Sequence, residues 1–442
     1  MEGERIIPQK TMKTKEAKKE KKGRKGKTAL KVLGIIVAVI ILAVGVLTVV
    51  NIVGNKANME KALSFDTVTY ENQLAPTLDE DGNWTFVTDG EFKVMQLTDV
   101  HIGGGFLSFK KDSMALNSVA AMITAEKPDL VVVTGDIAYP VPFQAGTFNN
   151  KKPAEIFSAL MNKLGVYWTL TFGNHDTELY SYYDREEMGD FYENLDCEKC
   201  LYKKGPEEIS GVGNQIINVK NSQGVFTQTL YVFDSHSYTD GDFLGIMWKY
   251  DNIHPDQIEW YKTNVEKYNA LNAEKFKELK IKGDSTVKSS MFFHIPLTEF
   301  KDAWYEYANN GFADTENVKL VYGTAGEENK VVYCGVGEDD MFETITALGS
   351  TKAVFCGHDH KNNFSLDYKG IRLTYGMSID YLAYPGIYKL GSQRGCTLIS
   401  YKPDGSFNCK AENYYQDKYT SLYEKEPVEL QNVVPVEVTT EK

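Results

Sequence analysis

The chain has 442 residues, 42% hydrophobic and 25% charged, which is ordinary globular usage and excludes overall disorder, a collagen-like repeat and a disulfide-dense miniprotein. Charge is uneven: residues 1–31 hold 12 Lys/Arg and 4 acids, a net of +8 against −13 for the whole, leaving −21 for the remainder. So acidic a body repels a polyanion, and no nucleic-acid partner is expected.

In chain order, the basic run at 1–31 is followed by residues 32–53, VLGIIVAVIILAVGVLTVVNIV, without one charge. At roughly 1.5 Å per residue such a helix is about 33 Å long, enough to cross a hydrocarbon core. A buried core helix would show a polar stripe, and a cleaved signal peptide would have an apolar region of about 7–15 residues with a small-residue cleavage site. Neither pattern is present. The sequence therefore predicts a transmembrane signal anchor over 32–54, in contact with membrane lipid, and a single-pass protein of the plasma membrane. The positive-inside rule puts the tail at 1–31 in the cytoplasm and the body outside.

Residues 55–90 read as a polar connector with a strand at 84–87. From there the pattern alternates: strand 93–97, helix 113–125 stopped by Pro128, strand 130–133, helix 154–164, strand 166–172. This rhythm predicts an α/β fold with helices packed on a mostly parallel sheet. A hairpin follows at 215–219 and 228–234, then a helix at 255–271 and a strand at 291–295. After an insertion at 298–335 come a helix at 341–348, a strand at 353–356 and a hairpin at 364–366 and 371–374. The body is expected to span 91–415, with a loose tail at 416–442.

The chemistry sits where strands give out. Of seven histidines, five lie at such ends: Asp99-Val100-His101, Gly173-Asn174-His175-Asp176, Phe293-His294 and Gly357-His358-Asp359-His360. Gly135-Asp136 adds a carboxylate at another. Loops beyond the carboxyl ends of strands form the ligand crevice of open α/β sheets. Imidazole, carboxylate and amide oxygen suit divalent Mn, Fe or Zn. D-x-H and H-x-H on extended chain point both side chains one way. Each piece alone is weak, since a lone histidine at a strand end is more often structural, but their joint occurrence points to a centre of two metal ions.

Taken together, Asp99/His101, Gly135-Asp136, Gly173-Asn174-His175-Asp176, His294 and Gly357-His358-Asp359-His360 resemble the five-block signature of calcineurin-like metallophosphoesterases, over roughly residues 91–376. The segment Phe233-Asp234-Ser235-His236, with His254-Pro255-x-Gln257-x-x-Trp260, is similar to the branch of yeast Dcr2-type phosphatases and plant purple-acid-phosphatase-like proteins. The resemblance implies two mixed β-sheets sandwiched between helices. It implies one metal on Asp99, His101, Asp136 and His360, and a second on Asp136, Asn174, His294 and His358. A phosphate ester would be hydrolysed by a hydroxide bridging the two ions. His175 would protonate the leaving group, with Asp176 fixing its tautomer.

Three alternatives stay open: a phosphodiesterase, a nucleotide-sugar pyrophosphatase, and a non-catalytic envelope-binding protein on the same fold. Tyr139 fits the G-D-x-x-Y block in which purple acid phosphatases ligate iron. His101 already serves that ion, so Tyr139 is expected to line or flank the pocket. His236 is a candidate for the pocket edge and His254 for a helix cap. Cys197-x-x-Cys200 reads as a local disulfide or two plain thiols.

Overall fold

The computed structural model describes residues 9–242, 245–337, 339–387, 394–419, 425–426 and 428, with side chains from residue 27 onward. Most of the tail expected at 416–442 lies outside the described residues. The chain separates into two units, residues 1–54 and 55–442. The helix Gln9–Ser64 holds a stretch, 27–64, long and apolar enough to cross a membrane, and its large side chains from Leu30 to Val53 are exposed.

The second unit holds two mixed sheets. Edge to edge, the five-stranded sheet is Phe407–Asn413, Gly395–Tyr401, Phe92–Leu97, Leu130–Thr134 and Trp168–Thr171. Its last three strands are parallel, and the hairpin at 395–413 adds antiparallel. That hairpin is absent from the sequence reading, which takes the sheet as mostly parallel. The nine-stranded sheet has four parallel strands at its centre, Phe226–Val232, Ser289–Phe292, Thr351–Cys356 and Ile371–Tyr375.

Strand periodicity explains the layering. In the apolar run at 130–133, Leu130 and Val132 join Phe92, Val94, Leu230, Val232, Phe292 and Phe355 in a core between the sheets. Val131 and Val133 turn the other way and pack with Leu116, Val119, Leu160 and Leu164 of the helices Phe109–Glu126 and Lys151–Leu164. A third core lies where Tyr231, Met291 and Val354 meet Tyr261, Val265 and Trp304 from the helices Pro255–Leu279 and Thr298–Asn309. The order is helix, sheet, sheet, helix. A strand buried on both faces needs no polar alternation, which is why these strands read as continuous apolar runs.

Candidate metal centre

Loops from the carboxyl ends of strands in both sheets meet at one place. Leu97 leads into Asp99 and His101, Thr134 into Asp136, Thr171 into Asn174 and His175, Phe292 into His294, and Cys356 into His358 and His360. The backbone is strained there: φ is +49° at Asp99, +52° at His101, +55° at Asp136 and +79° at His358. Such left-handed conformations cost side-chain-bearing residues about 1–3 kcal/mol each and persist only where surroundings enforce them. The enforcing contacts include the Asp99 N–H donating to Gly135 O (3.1 Å) and the His101 N–H donating to Asp136 O (3.0 Å). Glycine is required at 173 and 357 by close approach, since a Cβ would collide with Asp136 Oδ1 at the first and Thr98 Oγ1 at the second.

Asp99, His101, Asp136 and His360 are all buried, with one ligand atom from each within 4.8 Å of the others. Asp136 Oδ2 lies 3.3 Å from His101 Nε2 and 3.2 Å from His294 Nε2, so a single oxygen faces two groups of side chains. On the far side His294 Nε2 is 3.2 Å from Asn174 Oδ1, and the His294 and His358 rings are 5.2 Å apart. The Asn174 amide nitrogen donates to Tyr238 Oη (2.9 Å), leaving its oxygen for the centre.

The electrostatics match an anionic cage. Burial opposes ionisation of Asp136, but His294 and His175 outweigh it and hold the carboxyl well below its ordinary range. Burial likewise opposes charge on His294, yet Asp136 pushes it up to about 9. His358 goes the other way: burial and its neighbour His294 keep it neutral, with a lone pair available. Asp99 Oδ1 is buried and accepts no hydrogen bond. An orphaned carboxylate oxygen beside imidazoles and an amide oxygen is a donor set that fits divalent ions of the Mn, Fe and Zn group.

Two residues the sequence reading missed complete the arrangement. Asp380 meets His101 Nδ1 with Oδ1 (3.0 Å) and His360 Nδ1 with Oδ2 (3.3 Å), and it accepts the N–H groups of Leu382, Ala383 and Tyr384. It follows the strand Ile371–Tyr375, so the strand-end rule that found the others extends to it. Glu178 Oε1 lies 2.7 Å from His175 Nδ1. This corrects the expected role of Asp176, which does not orient His175. Its carboxylate accepts the N–H groups of Asp136, Ala138 and Gly173, each at 2.8 Å, and so pins two loops together. Burial, with Asp136 nearby, pushes Asp176 up to about 6.

Other expectations resolve simply. The Tyr139 hydroxyl donates to Gln144 Oε1 (2.7 Å), while its ring lies 4.4 Å from that of His101. His254 precedes the helix Pro255–Leu279 as its cap. His236 does not reach the pocket edge. It stacks on His254 (3.9 Å, 20°), and its Nε2 is 3.0 Å from Gln257 Oε1. With Asp251 these two form a further cluster of metal-capable groups, but the in-plane lone pairs of two stacked rings lie in nearly parallel planes and do not converge. All six cysteines are free thiols. A cleft of about 600 Å³ opens over His175, His358 and His360, its walls including six tyrosines, Trp248 and the charged Glu178, Glu327, Glu328 and Lys361.

In comparisons with known proteins, the family model for calcineurin-like phosphoesterases matches residues 92–362. A protein of Arabidopsis thaliana named "Probable inactive purple acid phosphatase 28" is 26% identical over 68% of this chain and 73% of its own length. "Phosphatase DCR2" of Saccharomyces cerevisiae is 30% identical over 63% of this chain, which spans 45% of that protein. Among solved structures, a dimetal phosphatase from Danio rerio aligns over 74% of this chain and 98% of its own, at 10% identity and a TM-score of 0.47.

Proposed function

Since this chain belongs to the calcineurin-like phosphoesterase family, we propose that it hydrolyses a phosphate ester at the centre described above. One divalent ion would be held by Asp99, His101, Asp136 and His360, and a second by Asp136, Asn174, His294 and His358. The observation that carries this reading is Asp136 Oδ2, within 3.3 Å of His101 Nε2 and 3.2 Å of His294 Nε2 at once. Two bound ions supply Lewis-acid stabilisation of charge on the phosphoryl oxygens and acidify water.

The chain's own groups do the rest. His101 is aimed by its hydrogen bond with Asp380, whose other oxygen faces His360 at 3.3 Å, and His294 by donating Nδ1–H to Thr134 O (2.8 Å). His175 has Nδ1 occupied by Glu178, which leaves Nε2 to give a proton to the departing oxygen. Asp176 acts one step removed, by holding the Gly135-Asp136 and Gly173 turns together. The plant relative is named inactive. Here Asp99, His101, Asp136 and His360 are all buried with their ligand atoms within 4.8 Å of one another, which supports a working enzyme.

The apolar helix and the basic run before it support a membrane anchor with the body outside the cell. Turnover of para-nitrophenyl phosphate and of its bis ester, with Mn²⁺ added and then chelated, tests the chemistry. Metal-dependent cleavage of the monoester is expected. Preferential cleavage of the diester would make the protein a phosphodiesterase, and bound metal without turnover of any ester would make it a binding protein.

A further inference from the structure

The cleft above the centre speaks to the alcohol half of the ester. We propose that the substrate carries a single phosphate on a planar aromatic alcohol, whose ring stacks against Trp248. This rests on the hydrolysis proposed above and narrows its substrate class.

Size comes first. About 600 Å³ is far more than a phosphoryl group fills and is typical of a site for an organic ligand. The walls come next. At the floor Tyr250 packs edge-on to His358 (4.2 Å, 82°) and Tyr384 edge-on to His360 (5.1 Å, 83°). Toward the mouth stands Trp248, edge-on to Tyr333 (6.2 Å, 76°). Trp248 is 63% exposed and has φ of +54°, so an indole is held in the open on a backbone conformation that a bulky residue rarely adopts. Exposed apolar residues flank the lining in sequence. Leu179, 77% exposed, sits between the lining residues Glu178 and Tyr180, and Ile246 and Met247 are exposed beside Trp248. Aromatic faces in such a place offer stacking, and the hydroxyls of Tyr139 and Tyr238 are already engaged with Gln144 and Glu178.

Charge narrows the class further. Among the described residues, the lining contains no arginine, and its one lysine, Lys361, is ion-paired with Glu327 at 3.1 Å. Glu178 and Glu328 add carboxyl groups. A second phosphate would face these with Lys361, already paired, as the one lysine or arginine among the described lining residues, which disfavours nucleoside diphosphates, nucleotide-sugars and polyphosphorylated polyols.

The test compares naphthylmethyl phosphate with glycerol 3-phosphate and ADP on the Mn²⁺-loaded full chain. The first two both release an alkoxide, so leaving-group chemistry does not bias the comparison between them. Naphthylmethyl phosphate should have kcat/KM at least tenfold above glycerol 3-phosphate, with ADP poorest. Trp248→Ala should shrink the naphthylmethyl-to-glycerol ratio by at least fivefold, since stacking one ring is worth roughly 1–3 kcal/mol. Leu271→Ala, on the helix Pro255–Leu279, should leave the ratio alone. An unchanged ratio in Trp248→Ala, or a preference for ADP, would overturn the proposal. Calorimetry with naphthylmethylphosphonate and methylphosphonate separates the two readings. Tighter, Trp248-dependent binding without turnover of any ester would leave this inference standing and remove the hydrolysis. Turnover without an aromatic preference would do the reverse.

Discussion

The two groups of side chains that share Asp136 are backed by unlike partners. Behind His101 and His360 stands one carboxylate, Asp380, fully buried and fixed by three backbone N–H groups. Behind His294 stands a neutral carbonyl, Thr134 O. The first side thus gathers Asp99, Asp136 and Asp380, whereas the second shares Asp136 and otherwise offers an amide oxygen and imidazoles. A charged partner on the outer nitrogen raises imidazole basicity and locks ring orientation more strongly than a carbonyl does. One chain has built two positions of unequal charge, and the first should hold its ion more tightly than the second.

Asp136→Asn tests what the two positions have in common, and its effect should be the largest. The substitution keeps the side chain's shape but removes the charge facing both groups. At least one metal should be lost on elemental analysis, and turnover should fall roughly a thousandfold or more, given the several kcal/mol of charge stabilisation a metal supplies. Circular dichroism should stay native. A folded, metal-depleted variant with normal turnover would break the two-metal reading.

Asp380→Asn sharpens the difference between the positions. The amide keeps one oxygen where the carboxylate presents two, so one of the two rings loses the anionic oxygen it faces. Loss of such a partner costs about 10–100-fold in metal affinity. One of two ions should therefore leave at lower chelator concentration while the other is retained. Equal weakening of both would show that Asp380 is not selective for its own side.

Legibility in the sequence followed sheet geometry. The five strand ends were readable because buried strands are unbroken apolar runs and their polar exits carry the rare histidines. Asp380 was not, because its loop has no histidine to draw notice. Nor was the choice between Asp176 and Glu178. Both lie close to His175, and only the course of the turn decides which carboxylate meets the ring and which faces backbone. The hairpin at 395–413 was missed for another reason: its partner strand, Phe92–Leu97, lies some 300 residues earlier, a separation that no local pattern records.

Away from the centre, Glu299 marks the smallest expected effect. It lies in the first turn of the helix Thr298–Asn309, where an acid is ordinarily favourable. Burial nonetheless pushes its carboxyl up to about 7, its own N–H pulls it back slightly, and Asp339, Glu343 and Asp302 add repulsion. A raised pKa in the folded state means the fold binds this proton more tightly than the unfolded chain does. Stability is therefore present near pH 4.5 and is lost as pH climbs to about 7. Taken in full the shift is worth about 3 kcal/mol, but the residue is only half-buried, and solvent screening reduces that to about 1 kcal/mol. Glu299→Gln should thus be more stable than the parent by about 1 kcal/mol at pH 8, a rise of about 1–2 °C in Tm for a unit this large. The gain should close as pH approaches 4.5, where the parent's carboxyl is protonated. A gain that persists there would come from a new amide hydrogen bond, and relief of a buried charge would not be its cause.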